Sequence, residues 1–338
     1  MTNIYRRDWR MPPEWAPHER TWMAWPSAGY TLGETAADAE EARNTWAAVA
    51  NAVTRFEPVT MLVNPGDEVI ARRHLDSAIE LIACPLDDAW MRDIGPTFVK
   101  DPSGQLGAVD WVFNGWGQQP WARWQRDSKV AAFIASHIGA PRIESPLINE
   151  GGGIHVNESG VILLTKTVQL GQGRNASWAA KEVEDELHRK LGTERAVWFE
   201  RGLTRDYDEF GTRGHIDIVA CFANETEILF HNQTNKSHPD FAVSRRVRET
   251  IENAGFTATG VPAPTQLRDA EGWVDYSYIN HYLVNGGVIL CGFDDPSDAA
   301  ALDVISVAYP GREVVQLDAR PLFARGGGIH CITQQQPA

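Results

Sequence analysis

The string Gly-Gly-Gly-Ile-His occurs at residues 151–155 and again, 175 residues on, at 326–330. A weaker echo is Asn285-Gly286-Gly287-Val288-Ile289-Leu290-Cys291. Five identical residues in a row are hard to place by chance, even among 29 glycines. They imply one building unit used several times, with glycine where the backbone needs positive φ or a close approach. Of the two full copies only the last continues into a cysteine, Cys331; the first has Val156 there. The chain ends soon after, so a reactive Cys331 requires a docked tail, and an inner strand is expected over 328–333. Strand alternation would put Ile329, Cys331 and Thr333 on one face and His330 and Ile332 on the other. On that reading His330 is a poor base for Cys331.

Hydrophobic periodicity supplies the frame around these units. Thr35 caps a helix whose apolar positions Ala39, Ala42, Trp46, Val49 and Val53 recur at helical spacing to about residue 55. Further helices are expected over 66–79, 125–138, 177–191, 240–254 and 297–308. Ser177 would cap the third of these, and Gly192 would end it. Strands are expected at 21–25, 58–63, 80–83, 142–145, 196–199, 257–260 and 313–316. From 66–79 onward, five helices each lead into a strand with no low-complexity linker between them. That pattern is a single α/β body over 1–338. A GxGxxG fingerprint for dinucleotides is absent.

Composition excludes several classes of function. A net charge of −14 argues against nucleic acid or anionic lipid as partner and suits a small cationic substrate. No apolar run is long enough to span a bilayer, and residues 1–9 have no apolar region after Arg6 and Arg7, so no leader is expected. The four cysteines, Cys84, Cys221, Cys291 and Cys331, form no CxxC pair, which suggests a reduced, cytoplasmic protein. The proline-punctuated, tryptophan-rich stretch 11–26 reads as packing or lid.

Two more stretches carry chemistry. Asp87-Asp88-Ala89-Trp90-Met91-Arg92-Asp93-Ile94-Gly95-Pro96 sets three carboxylates around a tryptophan and an arginine. Gly214-His215-Ile216-Asp217-Ile218-Val219-Ala220-Cys221-Phe222 reads as a strand with His215 and Asp217 on one face. With Cys331 the set is a thiol, an imidazole and paired carboxylates. A thiolate is a nucleophile, and histidine can pass protons both ways. Two carboxylates in one apolar site repel unless a cation lies between them, and a planar guanidinium with its N–H forks fits. A zinc hydrolase using His155, His215 and Asp217 is the competing enzyme reading, without a compact ligand motif behind it.

These residues resemble the agmatine deiminase branch of the guanidine-modifying superfamily that includes the peptidylarginine deiminases. The resemblance covers nearly the whole chain: Pro13-Glu14-Trp15, Pro17-His18-Glu19, Trp25-Pro26, Trp90 to Thr97, Asn114 with Trp116-Gly117, Glu150-Gly151-Gly152, Gly214 to Asp217, Asn285-Gly286-Gly287, and the terminal GGGIHCITQQQP. It implies a five-bladed α/β-propeller of ββαβ units and no metal or cofactor. It makes Cys331 the nucleophile, His215 the general acid and base, and Asp93 and Asp217 the guanidinium ligands. Trp90 would wall the pocket, and Trp116 and Glu150 would belong to the substrate site. The implied reaction is hydrolysis of agmatine to N-carbamoylputrescine and ammonia, a step toward putrescine, through a covalent thiouronium; a homodimer is also implied. Alternatives are a deiminase for a carboxylated guanidino compound, an amidinotransferase, and a non-catalytic guanidine-binding protein. Arg213 stands where the family usually has Asp or Asn. If it lines the pocket it would favour a carboxylate tail over an ammonium.

Overall fold

The computed structural model describes residues 9–338; the leader-free reading of 1–8 lies outside the described residues. The described residues build five small sheets, four of them three-stranded and of one pattern, the first with a fourth strand. The first strand, β1 (His18–Ala24), leads through helix α1 (Ala36–Val53) to β2 (Val59–Val63), parallel to β1, and then to β3 (Glu80–Ala83). The second sheet has β4 (Thr97–Lys100) antiparallel to β5 (Leu106–Val112), then helix α2 (Val130–His137) crossing to β6 (Arg142–Ile148), parallel to β5. The third repeats this with β7 (His155–Val156), β8 (Val161–Thr165), α3 (Ala180–Leu191) and β9 (Arg195–Phe199). The fourth has β10 (Ala220–Phe222), β11 (Glu227–Asn232), α4 (Asp240–Asn253) and β12 (Thr257–Pro262). The fifth has β13 (Tyr282–Val284), β14 (Gly287–Gly292), α5 (Ser297–Ala308) and β15 (Glu313–Asp318). The helix is what lets each pair of parallel strands connect.

The first unit lacks its own leading antiparallel strand. The end of the chain provides it: β16 (Gln334–Pro337) pairs antiparallel with β1. The glutamines of this strand are buried and partnered. Arg92 donates to Gln335 Oε1 at 2.7 Å, and Trp22 Nε1 donates to Gln336 Oε1 at 2.8 Å. The tail is therefore docked as expected, but the strand begins beyond the cysteine. Residues His330–Ile332 form a 3-10 turn instead. Strand alternation therefore does not apply over 328–333, and the place of His330 follows instead from its ring partners, Asp217 and Glu14.

The crossover helices follow their sequence signals. Thr35 caps α1, accepting from Asp38 N, while Asp38 returns a bond to Thr35 N. In α3 Glu182, rather than Ser177, closes the N-terminus by accepting from Ala179 N at 2.7 Å, and Gly192 ends the helix at φ 67°. The helix expected over 66–79 is a single turn, Glu68–Ala71. Asn51 on α1 intervenes: its side chain donates to His74 O and accepts from Asp76 N. Those bonds replace the ones a longer helix would use. Among the described residues no helix is long and apolar enough to cross a membrane.

Candidate active site

The segment leading into the first strand of each sheet carries the polar residues that meet at one buried place. Met91–Ile94 precedes β4, Gly151–Gly153 precedes β7, Ile216–Ile218 precedes β10, residues 278–281 precede β13, and His330–Ile332 precedes β16. The expected strand through His215 and Asp217 is absent, and the reason is local. The Asp206 carboxylate accepts from the N–H groups of Thr212, Gly214 and His215. Arg213 at φ 74° and Gly214 at φ 113° then turn the chain. His215 and Asp217 reach the same site from a 3-10 turn rather than from one strand face.

Gly152 shows how tightly the groups converge. A Cβ there would lie 2.5 Å from His215 Nδ1, 3.0 Å from Asp217 Oδ2 and 3.1 Å from Asp93 Oδ1. Only glycine leaves that point free. Its N–H donates to Asp93 Oδ1 at 3.0 Å, and Trp116 Nε1 donates to Asp93 Oδ2 at 2.8 Å. Cys331 Sγ lies 3.5 Å from Asp217 Oδ2. His215 Nε2 meets Glu150 Oε2 at 3.3 Å, while Nδ1 has no hydrogen-bond partner; Asp217 Oδ1 also has none. Unpartnered buried polar atoms are uncommon and call for a ligand or water.

The charges are arranged around this place. Burial disfavours an imidazolium at His215, but Asp93, Glu150 and Asp217 outweigh it and push the pKa up to about 9. Burial, then Glu150 and Asp217, raise that of Asp93. Burial also opposes charge on Asp217, yet His330 holds its carboxyl below the ordinary range. The His330 ring bridges Asp217 Oδ2 through Nδ1 and Glu14 Oε2 through Nε2, both at 2.9 Å. A ring with both nitrogens on acceptor-only carboxylates carries both protons. Burial, Asp217 and Asp93 push the Cys331 thiol well above its ordinary value.

Trp90 packs beside Cys331: a Cβ on Gly327 would be 2.5 Å from the Trp90 ring and 3.1 Å from Cys331 Cβ. Glu150 is fully buried and holds Arg174 Nε at 2.9 and 3.0 Å as well as His215. Its carboxylate thus faces His215 and Arg174. Arg213 points away from the carboxylates, donating to Tyr207 O and, at 3.0 Å, to Gln119 Oε1. It lines an open cavity of about 820 Å³ that also includes Trp116, Lys166 and Arg174. Asp88 and Asp87 do not join Asp93; Asp88 accepts from Thr31, and Asp87 accepts from Arg126 N. His155 stands apart, accepting from Phe222 N at 3.3 Å. Among the described residues no three His, Cys, Asp or Glu side chains are grouped as metal ligands.

Sequence reasoning missed Glu14, Arg174, Asp206 and Asn280. Asn280 and the Asn285-Gly286-Gly287 echo lie at opposite ends of β13. Gly286 merely turns the hairpin between β13 and β14, at φ 74°. The residues just before the strand were the ones to inspect.

Residues 10–337 match the model of the Porphyromonas-type peptidyl-arginine deiminase family. The chain belongs to this family. It is a hydrolase acting on a guanidino C–N bond. It is 55% identical to a Streptomyces coelicolor protein named "Putative agmatine deiminase", over 97% of this chain and 98% of that one. It is 35% identical to the agmatine deiminase of Stutzerimonas stutzeri, over 100% and 98%. The structure of Enterococcus faecalis agmatine deiminase superposes with a TM-score of 0.89 at 27% identity, covering 98% of this chain and 96% of that one. The mixed α/β fold of the family is therefore shared throughout.

Proposed function

We propose that this enzyme hydrolyses agmatine to N-carbamoylputrescine and ammonia, with Cys331 as nucleophile and His215 as acid and base. The observation that carries the reading is the convergence of Asp93 Oδ1, Asp217 Oδ2 and the unpartnered His215 Nδ1 on one point, with Cys331 Sγ beside it. Asp93 Oδ1, with one N–H bond, and the unpartnered Asp217 Oδ1 retain lone pairs for guanidinium N–H groups. A cation between Asp93 and Asp217 offsets the charge that holds Cys331 protonated.

With that charge offset, Cys331 loses its thiol proton to water, and the thiolate attacks the central carbon of the guanidinium. His215, anchored through Nε2 by Glu150, gives its Nδ1 proton to the departing nitrogen. The C–N bond breaks and ammonia leaves, with the C–S bond of a thiouronium in place. Water adds to that carbon and gives a proton to His215. The C–S bond breaks and returns its electron pair to sulfur, the remaining O–H proton of the adduct passes to water, and the neutral ureido group departs. In this scheme Glu150 orients His215 rather than touching substrate, Trp90 walls the pocket, and Trp116 fixes Asp93.

Agmatine is favoured by the named relatives and by Arg213, whose guanidinium is turned onto Tyr207 O and Gln119. We further read the five sheets as a single α/β-propeller domain whose axis passes through the site, because all five leading segments reach it. Four unpaired cysteines suit the cytoplasm. The test is a panel of guanidino compounds assayed for ammonia and for the ureido product by mass. Agmatine should give both. Turnover of a different guanidine with none of agmatine would overturn the assignment.

A further inference from the structure

We propose that Asn280 is a catalytic residue that stabilises the Cys331 thiolate by donating a side-chain N–H to the sulfur. The inference deepens the proposed reaction and rests on Cys331 being its nucleophile. Asn280 is fully buried in the segment that leads into β13. The other four leading segments bring Asp93, Gly152, His215 with Asp217, and Cys331; Asn280 is what the fifth brings.

The orientation of its amide is fixed by two partners with no choice of role. The backbone N–H of His330 is a donor and meets Oδ1 at 3.0 Å. The backbone oxygen of Asp217 is an acceptor and meets Nδ2 at 3.3 Å. The amide cannot be flipped without placing donor on donor and acceptor on acceptor. Nδ2 carries two hydrogens. One is used on Asp217 O, and Cys331 Sγ lies 3.3 Å from the same nitrogen. Among the described residues no other side-chain nitrogen is within hydrogen-bond reach of this sulfur.

The need for such a donor follows from the surroundings. Asp217 Oδ2 is 3.5 Å from Sγ, and no cationic side chain touches the sulfur among the described residues. His215 is held by Glu150, and both nitrogens of His330 are taken by Asp217 and Glu14. The donor is the nearer end of the amide, 3.3 Å from Sγ against 3.6 Å for Oδ1, so a neutral group whose geometry is set beforehand supplies net favourable dipole without a further charge. It also links the nucleophile to the Asp217 and His330 backbone.

The experiment is alkylation of Cys331 by iodoacetamide in free enzyme, followed as rate against pH, with Cys331→Ala as the blank for the three other cysteines. Asn280→Ala should displace the line by about one unit toward higher pH, which is about tenfold slower alkylation at fixed pH. Its kcat on agmatine should fall at least about tenfold, with a smaller change in KM. Thermal melting reports whether the variant folds. If Asn280→Ala shows no cooperative transition, Asn280→Asp keeps the acceptor for His330 N–H, lacks the donor, and should be displaced further. An undisplaced line in folded Asn280→Ala, or in Asn280→Asp when the alanine variant does not fold, would overturn the proposal. Because alkylation uses no substrate, a mistaken substrate appears only in the wild-type ammonia assay and leaves this result intact.

Discussion

The two Gly-Gly-Gly-Ile-His copies have identical side chains and hold histidines in opposite charge states. In the first, Gly151–Gly153 form a 3-10 turn, and His155 enters β7. Burial, reinforced by the charges of His330 and Arg92, pushes the His155 pKa down to about 4, so the ring is neutral and accepts from Phe222 N. In the second, the turn comes after the glycines, and His330 opens it. There the ring lies between Glu14 and Asp217, and these carboxylates outweigh burial and Arg92 to raise its pKa. What the copies share is close backbone approach: Gly152 to His215 and the carboxylates, Gly327 to Trp90. The repeated word specifies where a backbone can come near. The partners brought from elsewhere decide the chemistry.

The largest break in this comparison should come at the residue after the histidine. Cys331→Ala should reduce turnover to below about a thousandth of wild type and leave the melting transition in place. The matching change in the first copy, Val156→Ala, should cost about 1–3 kcal/mol of stability and leave kcat close to wild type. Retained turnover in Cys331→Ala would remove the covalent mechanism.

Next in size is a single methyl group. Gly152→Ala puts a carbon at the point shared by His215 Nδ1 and the two carboxylates, where the guanidinium would sit. We expect kcat/KM to fall on the order of a hundredfold or more, since misplacing reacting groups by about 1 Å is enough for that. At Gly153 the nearest atoms to such a carbon are the ends of Gln169 and Val168, at 3.3 Å. Gly153→Ala should therefore stay within about threefold of wild type, allowing for modest repacking. Equal effects of the two would mean that Gly152 is not the floor of the site.

The histidines themselves come third, and pH separates them. His330→Gln removes the cation between Glu14 and Asp217, and kcat/KM should fall roughly tenfold to a hundredfold, as expected when a buried charge loses its partner. His155→Gln should change kcat/KM by less than about threefold while costing about 1–2 kcal/mol of stability, as for one buried hydrogen bond. The linkage signs differ. The folded pKa of His330 is raised, so its contribution is present below the unfolded value of 6.5 and is lost as pH rises through the folded value. That of His155 is lowered, so stability falls as pH drops from 6.5 toward about 4. Melting curves against pH should lose part of the alkaline decline in His330→Gln and part of the acid decline in His155→Gln. His231 and His281, pushed down to about 3 and about 4 by burial, retain part of the acid limb, as do the lowered carboxyls of Glu150 and Asp217.

The frame was largely legible because it is local. Helix α1, its cap, and the strands after α2 to α5 follow apolar spacing and turn residues close in sequence. The terminal cysteine, His215, Asp93 and Asp217 were legible as chemistry through family resemblance. Their backbone was not: alternation was applied to two segments that are turns. In one, Asp206 captures three N–H groups; in the other, Asn280 captures that of His330. Both captors approach from outside the motif they control. Glu14 lies 316 residues from His330, and no periodicity records such a pairing. A rule for strands fails wherever a side chain from outside the segment takes the backbone bonds that a strand would need.

The smallest effect should be found at Arg213, which neither copy reaches. Its backbone is in the left-handed region, so it does not share a face with His215 and Asp217. Its guanidinium is tied to Tyr207 O and Gln119 Oε1, at the edge of a cavity with Lys166 and Arg174 and no acidic residue in its lining. If the substrate tail stayed inside with Asp93 and Asp217, Arg213→Asp would change the preference between agmatine and a carboxylated guanidine by less than about threefold, since screened exposed charges are worth under about 1 kcal/mol. If the tail instead ran past Trp116 into this cavity, reversing the charge would shift preference toward agmatine by at least about tenfold. We expect the first result. The second would make the cavity the tail site, and the wild-type enzyme would then be matched to an anionic guanidino compound rather than to agmatine.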